Sequence, residues 1–325
     1  MINWGVIGAG NMGRAFAEAI KEVDNAKLIA VASANNNNLN IFGDNFKIEK
    51  EFRFKNYESI CKNDKIDAIY ISTLNNTHFD LIKMCAMNKK HILCEKPFCL
   101  NFAEALEIEK IINDNDIKFF EAIAYVSHPQ TDSILSLINE GKIGEIQSIE
   151  LSFGFKARKI MPEPRLFNKK LGGGAILDVG CYPMSFISLF NNSNEMKFQN
   201  IHGEICNTNV DIAASAEILV NNNIKCKIKV SLKEYFENNS IIYGSKADIK
   251  INRPWLPGKK AYLEISNKNR YYKKFIESDL SVYANQIKNV SNEFLNKGNN
   301  ADKLFDISKA VKNMKYLDHW IKNIN

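Results

Sequence analysis

At 325 residues, with 45% hydrophobic and 25% charged side chains, the chain has the composition of a folded protein large enough for two domains, which excludes a disordered chain. A net charge of +6 is spread over 43 basic and 37 acidic residues without a block of like charge, so we expect no nucleic-acid or membrane partner. Binding of small anions, such as the phosphates of a dinucleotide, would account for the same excess.

The seven cysteines include no Cys-x-x-Cys pair and do not cluster with histidine. This argues against a disulfide framework and against a metal site. No apolar run approaches the roughly 18 residues that a membrane span needs, and the N-terminus has no basic segment ahead of an apolar one. These patterns predict a cytoplasmic protein.

The first 125 residues alternate short apolar runs with longer amphipathic stretches, as parallel α/β sheets do. The predicted strands are Trp4–Ile7, Leu28–Ala32, Phe52–Phe54, Ala68–Ser72, His91–Cys94 and Phe119–Ala122. Between them lie helical patterns, such as Met12–Val23, Phe79–Asn88 and Ala103–Asn115. With right-handed crossovers this order predicts a doubly wound Rossmann domain over residues 1–124, which binds its ligand at the carboxyl ends of the strands.

Residues 125–325 are predicted to form an α/β domain with a large open, mainly antiparallel sheet. A helix starts at Pro129 and ends by Gly141, and strands then dominate. The predicted strands are Glu145–Phe155, Ala213–Val220, Lys225–Leu232, Ser240–Tyr243 and Tyr262–Ser266, with a hairpin turn at Asn221-Asn222-Asn223. Two helices close the chain, at about Asp279–Asn296 and Ala301–Asn323. A sheet face without helices has to be buried, so we expect a homodimer or homotetramer.

Gly8-Ala9-Gly10-Asn11-Met12-Gly13 follows the first predicted strand and opens a helical pattern, which is the context in which this spacing binds a dinucleotide. Gly8 permits the tight turn, Gly10 the approach of backbone to a pyrophosphate, and Gly13 the close packing of helix on strand. A glycine-rich turn of another α/β protein is the alternative. We predict that the loop, with Asn11 and Met12, binds the cofactor.

The second strand should end at the residue that selects between NAD and NADP. It continues into Ser33-Ala34-Asn35-Asn36, without the acidic residue typical of NAD sites and without an arginine for a 2′-phosphate. Ser33 and Asn35 could hydrogen-bond a phosphate, and Arg14 could supply charge, although Arg14 could equally be a solvated residue on the helix surface. The pattern favours NADP, with NAD as the alternative.

Glu95-Lys96-Pro97 follows the predicted strand His91–Cys94 and therefore lies at the carboxyl edge of the sheet. A lysine can move the hydroxyl proton that accompanies hydride transfer if burial or a nearby cation lowers its pKa. Glu95 could orient the ammonium or bind a ribose. The alternative is that Lys96 is simply solvated, as most lysines at strand ends are.

The run Gly172-Gly173-Gly174 precedes an apparent helix that contains Asp178 and Tyr182. Residues four apart share a helix face, where a carboxylate and a phenol can bind a sugar or diol hydroxyl. The alternative is an aspartate favoured by the helix dipole beside a tyrosine packed at a domain boundary.

The glycine loop, Glu-Lys-Pro, and Gly-Gly-Gly-x-x-x-Asp-x-Gly-x-Tyr, in this order, resemble the Gfo/Idh/MocA oxidoreductase family. The resemblance continues through Glu121-Ala122-Ile123-Ala124-Tyr125, His128-Pro129, Gly141-Lys142-Ile143-Gly144 and Tyr243-Gly244-Ser245-Lys246. The branch of dihydrodiol dehydrogenases and NADP-dependent xylose and glucose–fructose enzymes is the most similar, through Arg165-Leu166-Phe167, Cys181-Tyr182-Pro183 and Pro254-Trp255-Leu256-Pro257.

The resemblance implies a Rossmann domain, an open sheet that forms dimers, and Lys96 as the catalytic residue, with Asp178 and Tyr182 completing the site. Much of the family has histidine in place of Tyr182. The loop after the fourth strand lacks the proline frequent in the family. From this loop we expect cofactor or substrate neighbours at Thr73, Asn75 and His78.

These observations predict reversible hydride transfer between NADP (or NAD) and a secondary hydroxyl of a sugar, diol or polyol, with Lys96 as the proton relay. Tyr182 and Asp178 would position the hydroxyl, and Arg165 would meet a substrate oxygen or phosphate. One alternative is a cyclitol, amino-sugar or nucleotide-sugar dehydrogenase on the same scaffold. Another is a dinucleotide-binding sensor without turnover.

Overall fold

A computed structural model of the chain describes residues 1–157, 165–191, 195–236, 239–297 and 301–324. Contacts divide the chain into two units, which are Met1–Ser127 with Leu280–Val311, and His128–Asp279 with Lys312–Asn325. The first unit therefore includes a late segment that the predicted boundary after residue 124 assigns to the second domain. Among the described residues, no helix combines the length and the hydropathy needed to cross a bilayer.

The first unit contains a sheet of six parallel strands. They are β1 (Ile2–Ile7), β2 (Ala26–Ala32), β3 (Arg53–Phe54), β4 (Ala68–Ile71), β5 (His91–Cys94) and β6 (Phe119–Glu121). The strand order is β3-β2-β1-β4-β5-β6, and all pairs are parallel. The order reverses between β1 and β4, which is where a doubly wound sheet opens a crevice for its ligand. The predicted Rossmann fold is confirmed.

Helices of the first unit follow the strands. They are α1 (Asn11–Ala19), α2 (Asn36–Asn45), α3 (Tyr57–Cys61), α4 (His78–Met87), α5 (Phe102–Asn115) and, near the end of the chain, α8 (Val282–Phe294). Neither α2 nor α3 was predicted, because α2 is rich in asparagine, a poor helix former, and α3 spans little more than one turn. Tertiary burial of Leu39 and Phe42 stabilises α2, and the Asn35 side chain caps it by accepting the Asn38 N–H.

The second unit contains a larger sheet of eight strands. They are β7 (Ile146–Gly154), β8 (Met196–Ile205), β9 (Asp211–Val220), β10 (Ile224–Ser231), β11 (Asn239–Gly244), β12 (Asp248–Asn252), β13 (Lys260–Asn267) and β14 (Arg270–Glu277). Their order is β14-β13-β12-β11-β7-β10-β9-β8. Within this sheet, β7 and β10 are the only described strands that pair in parallel. The predicted open, mainly antiparallel sheet is confirmed.

One face of this sheet is apolar and the other is polar. On β10, Cys226, Ile228 and Val230 are buried while the intervening lysines are exposed. The predicted hairpin joins β9 to β10, with Asn221 and Asn222 at positive φ, a conformation that asparagine tolerates. Helices α6 (Pro129–Asn139) and α7 (Cys181–Ser188) belong to this unit, and α7 packs on β7 and β10. The last helix, α9 (Ile307–Lys322), is divided between the units at residue 311.

Candidate active site

The candidate site in the first unit lies at the carboxyl edge of the parallel sheet. Parallel strands end at one edge, so the residues that follow β1, β2, β4 and β5 share it. These residues are Gly8, Ser33, Ser72 and Glu95. The backbone confirms their adjacency, since the Gly8 N–H donates to the Ala32 carbonyl at 2.9 Å and the Ser72 Oγ donates to the Gly8 carbonyl at 2.9 Å.

Two of the three loop glycines are required by sterics, and the third faces open space. Gly8 has φ +108°, and a Cβ there would lie 2.7 Å from the Ser72 carbonyl oxygen. A Cβ on Gly13 would lie 2.2 Å from the Gly8 carbonyl oxygen. A Cβ on Gly10 would meet no described atom within 4 Å. The roles predicted for Gly8 and Gly13 match this geometry, and the space at Gly10 fits the approach of a phosphate group.

The start of α1 adds donors to this loop. Gly10 is the N-cap residue and provides no side-chain cap, so the first N–H groups of the helix are available to an anion. Asn11 is exposed and Met12 is half-buried at this end. Arg14 is half-buried, and its Nε is shielded from solvent without a hydrogen-bond partner among the described residues. A buried donor of this kind is costly unless a ligand or water completes it, which fits a phosphate site.

At the end of β2, Ser33 is buried and its Oγ accepts the Asn35 N–H at 3.2 Å. The Asn35 side-chain oxygen is already engaged in capping α2. Any contact of Asn35 with a phosphate would therefore use its amide nitrogen. The roles of Ser33 and Asn35 as cofactor ligands remain predictions.

In the loop after β4, hydrogen bonds order the predicted residues. The hydroxyls of Thr73 and Thr77 lie 2.6 Å apart, and Asn75 is buried. His78 is fully buried, and its Nδ1 lies 2.9 Å from the Pro97 carbonyl oxygen. That nitrogen therefore donates to the carbonyl, and His78 supports the turn that carries Lys96. A direct contact of His78 with cofactor or substrate stays a prediction.

Lys96 lies in a cluster of ionisable side chains from separate elements of the first unit. Glu95 is buried and accepts a hydrogen bond from the Tyr70 hydroxyl of β4. Tyr283 of α8 is also within electrostatic reach, since burial and the Glu95 charge raise its pKa while the Lys96 charge lowers it. Lys96 itself is half-buried and precedes Pro97 through a cis peptide bond.

Glu121, at the end of β6, is the fifth member of this cluster. It is 1% exposed, and burial raises its pKa to about 8, with the Phe98 N–H and the Lys96 charge opposing the rise. A carboxyl with such a pKa is largely neutral near pH 7, and loss of the Lys96 charge would raise its pKa further. The first unit thus surrounds Lys96 with two carboxyl groups and two phenols.

In the second unit, the glycine run leads into a π-helical turn, Ile176–Gly180, which continues as α7. Asp178 lies in the π turn and Tyr182 in the first turn of α7, so the α-helical spacing assumed from the sequence does not hold here. Turns of this kind are frequent at functional sites. The Arg165 Nη2 lies 2.8 Å from the Asp178 Oδ1, so the structure brings together these two predicted residues as an ion pair that offers donors and acceptors to hydroxyl groups.

Asp211, at the start of β9, holds the π turn in place. It is buried, and its Oδ2 accepts the Ile176 N–H at 2.7 Å. Burial raises its pKa to about 7, opposed by backbone N–H groups of the turn. Gly174 has φ +116°, and a Cβ there would lie 2.3 Å from the Asp211 Oδ1. Glycine is therefore needed for the carboxyl to reach the turn.

Tyr182 is oriented by an aromatic cluster. Its ring lies edge-on to Phe153 of β7, with centroids 5.3 Å apart, and 6.2 Å from the ring of Trp255. Trp255 is anchored by donation from its Nε1 to the Ser152 carbonyl at 2.9 Å. Such pairs fix a ring through packing and through the quadrupoles of the rings. The half-buried phenol of Tyr182 is thus held by β7 and by the Pro-Trp-Leu-Pro segment.

Sequence reasoning assigned no role to several of these residues. Tyr70 and Tyr283 surround Glu95 and Lys96, and Asp211 fixes the π turn. Each is brought to its site by a strand or helix remote in sequence, so no local pattern indicates it. Glu121 and Trp255 lie in motifs that carry the family resemblance. Those motifs were the only sequence feature that could have pointed to these two residues. The predicted residues Gly8 to Arg14, Ser33 and Lys96 lie in the first unit, and Arg165, Asp178 and Tyr182 lie in the second.

Comparison with known proteins supports this description. The family model GFO_IDH_MocA, described as an oxidoreductase family with an NAD-binding Rossmann fold, matches residues 2–122, and the GFO/IDH/MocA C-terminal domain matches residues 133–250. Curated relatives include trans-1,2-dihydrobenzene-1,2-diol dehydrogenases from Xenopus tropicalis, 28% identical over 78% of this chain and 76% of the relative, and from Homo sapiens, 23% identical over 79% and 76%.

Solved structures with the same fold include an NADP- and TDP-benzene-bound 3-ketoreductase from Actinomadura kijaniata. It has a TM-score of 0.86 and 21% identity, covering 98% of this chain and 96% of the other. An aldose–aldose oxidoreductase from Caulobacter crescentus, with bound glycerol, has a TM-score of 0.88 and 17% identity, covering 99% and 96%. At these identities the likeness concerns the fold.

Proposed function

The chain belongs to the Gfo/Idh/MocA family of NAD(P)-dependent oxidoreductases, and we propose that it transfers a hydride between NADP(H) and the hydroxyl-bearing carbon of a diol, sugar or polyol. The observation that carries this proposal is the carboxyl edge of the parallel sheet. The glycine loop, which has open space at Gly10, follows one strand of this sheet. Lys96, which has carboxyl neighbours, follows another strand of the same sheet. The names of the curated relatives, which are diol dehydrogenases, support the substrate class.

In the proposed reaction, Lys96 moves a proton. Oxidation of the alcohol breaks the hydroxyl O–H bond and the neighbouring C–H bond. The proton passes to the Lys96 amine, and a bound nicotinamide ring supplies the acceptor for the hydride. Reduction reverses both transfers. In the second unit, the proposed substrate ligands are Asp178 as an acceptor, Arg165 as a donor and Tyr182 as a donor to a substrate hydroxyl oxygen.

NADP is the proposed cofactor, and Arg14 is its proposed 2′-phosphate ligand together with Ser33 and Asn35. The support for this is the buried Arg14 Nε without a partner among the described side chains and backbone groups. The end of β2 carries no carboxylate that would bind the two ribose hydroxyls of NAD. An arginine that pairs with a phosphate contributes a charge-assisted hydrogen bond.

NADPH is expected to bind at least about tenfold more tightly than NADH, because a charged hydrogen bond contributes about 1.5–3 kcal/mol. Arg14→Ala should remove most of this difference by weakening NADPH and leaving NADH nearly unchanged. Titration of nicotinamide fluorescence measures both affinities. Lys27→Ala, which removes an exposed cation from the same unit, is the matched control. Equal affinity for both cofactors in the unmodified protein would contradict the assignment.

A substrate panel then distinguishes between the substrate classes that this scaffold could accept. Trans-diols, aldoses and polyols are expected to be oxidised with NADP. Turnover of a cyclitol, an amino sugar or a nucleotide sugar alone would move the protein to a different substrate class on the same scaffold. Tight cofactor binding with no turnover on any of these compounds would favour a sensor.

We also infer a homo-oligomer that forms through the exposed face of the large sheet. On its edge, Phe275 is 74% exposed and Tyr271 60% exposed, and Phe275 pairs across the strands with Tyr262 on the same face. Large exposed aromatic side chains of this kind are typical of interfaces.

Phe275→Glu is expected to convert the oligomer to a monomer at micromolar concentration, because a charge would be buried in the interface. Light scattering gives the mass directly. Met87→Glu replaces an exposed apolar residue of α4 in the other unit and should leave the mass unchanged. A monomeric mass for the unmodified protein would refute the inference.

A further inference from the structure

Glu121 is buried beside the turn that carries Lys96. It ends β6, where it pairs with Cys94 of β5, two residues before Lys96. Its Oε1 accepts the N–H of Phe98, two residues after Lys96, at 3.1 Å. The carboxyl group therefore contacts the backbone on the far side of Lys96, while its own strand is bonded to the near side. Both ends of the Lys96-Pro97-Phe98 turn are tied to this residue.

The second carboxyl oxygen, Oε2, is also buried, and it has no hydrogen-bond partner among the described residues. Burying a polar atom without a partner is unfavourable, and burying an unpaired carboxylate is more unfavourable still. Packing alone would favour an apolar residue at this position. A carboxyl group at this position is explained if its negative charge interacts with a neighbouring group.

The charges around Glu121 indicate that interaction. Burial and, to a lesser extent, the Glu95 charge raise the pKa of Glu121 to about 8, against the lowering effects of the Phe98 N–H and the Lys96 charge. Cys94 is the remaining ionisable neighbour on β5, and burial and both carboxylates raise its pKa well above its usual range. On the segment that pairs with β6, Asp306 accepts the Lys309 N–H. Lys96 is therefore the cation to which the charge of Glu121 responds.

We propose that Glu121 is a positioning residue for Lys96. Glu121 holds the Lys96-Pro97-Phe98 turn by accepting the Phe98 N–H, and it stabilises the ammonium form of Lys96 while the lysine carries the substrate proton. The proposal rests on the proposed function of Lys96 as proton relay. Because opposite charges stabilise each other, protonation of Lys96 favours ionisation of Glu121, and loss of the proton from Lys96 favours the neutral carboxyl. The two groups therefore titrate as a coupled pair, in which the carboxylate form of Glu121 is most favoured when Lys96 is protonated.

The coupling is tested first without turnover, by infrared difference spectroscopy of the cofactor-free protein across neutral and alkaline pH. A C=O component of a protonated carboxyl should titrate with a midpoint near 8 and should be absent from Glu121→Gln, whereas the component of the buried Asp211, with a midpoint near 7, should remain in this variant. In Lys96→Met the midpoint should move to higher pH, because the ammonium no longer favours the carboxylate. An unchanged midpoint of the component near 8 in Lys96→Met, or persistence of that component in Glu121→Gln, would overturn the proposal.

Glu104→Gln is the matched control. Glu104 also accepts a backbone N–H, from Leu100 at 2.9 Å, and is half-buried in the same unit, so the change removes a comparable carboxyl group without a role at Lys96. This variant should keep the titrating band. If Glu121→Gln does not fold, the midpoint in Lys96→Met still decides the question.

The pH profile of kcat/KM for alcohol oxidation is the second readout. Glu121→Gln retains an oxygen that can accept the Phe98 N–H but removes the negative charge, so Lys96 should lose its proton at lower pH. The acid limb of the profile is then expected to move down by about one unit, whereas Glu104→Gln should reproduce the unmodified profile. A superimposable Glu121→Gln profile would reduce Glu121 to a structural role. Absence of turnover in the unmodified protein would count against the proposed function alone, because the infrared result does not depend on it.

Discussion

Lys96→Met is expected to lower kcat by about 10²–10⁴-fold, the range that a positioned proton donor or acceptor contributes. Methionine has a similar length and no ionisable group, so the substrate hydroxyl proton loses its acceptor. The fold should survive, because Lys96 is half-buried and methionine packs readily in irregular environments. The affinity for NADPH should stay within a few fold of the unmodified value. Steady-state kinetics and cofactor titration measure the two quantities separately.

Two further variants make this result interpretable. Lys96→Arg keeps the positive charge but cannot give up its proton near neutral pH, so it should also be slow. Lys110→Met removes an exposed lysine of α5 and should be as active as the unmodified protein. Near-normal kcat in Lys96→Met with intact cofactor binding would eliminate Lys96 as the relay and leave Tyr182 as the proton donor.

Gly10→Ala and Gly13→Ala are expected to separate cofactor binding from stability. A Cβ at Gly10 meets no described atom within 4 Å, and the φ of −84° and ψ of −163° there are accessible to alanine. The unfolding free energy should therefore change by less than about 0.5 kcal/mol. The added methyl group would occupy the space proposed for the pyrophosphate, and NADPH affinity should fall by about tenfold or more.

Gly13→Ala should show the reverse order of effects. Its Cβ would lie 2.2 Å from the Gly8 carbonyl oxygen, so the backbone of strand or helix has to move, at a cost of about 1–3 kcal/mol. Thermal unfolding measures the loss of stability, and fluorescence titration measures NADPH binding in both variants. Gly10→Ala with unchanged NADPH affinity would show that the phosphates do not approach this residue.

Local sequence patterns were sufficient for the elements with a strong period or a strong motif. Strand His91–Cys94 was predicted with its observed bounds, since four buried or partly buried residues follow a turn and precede Glu-Lys-Pro. Helix α5 was predicted to within one residue. The glycine loop was found because its spacing between a strand and a helix is a known motif, in which Gly8 and Gly13 are required by sterics. In each case the decisive contacts lie within about ten residues along the chain.

Two edge strands without a regular burial pattern and one short strand were missed. Strand β14 is an edge strand with seven of its eight residues exposed or half-buried, and an edge needs no alternating apolar face. Strand β8 lies at the opposite edge and is similarly exposed. Strand β12 has only five residues. Their pairing is decided by the neighbouring strand and not by their own sequence.

By itself, the sequence determined the doubly wound sheet, the glycine loop, the position of Lys96 at a strand end and the glycine run before Asp178, because each follows from periodicity or from local steric rules. The environment of these residues was decided only by the tertiary structure. Phe98 and Glu121 are 23 residues apart, Ile176 and Asp211 are 35 apart, and Tyr283 reaches Glu95 from a helix near the end of the chain. Burial shifts the pKa of Glu121 and of Asp211. It arises when such remote segments pack together, so a local sequence pattern does not predict it.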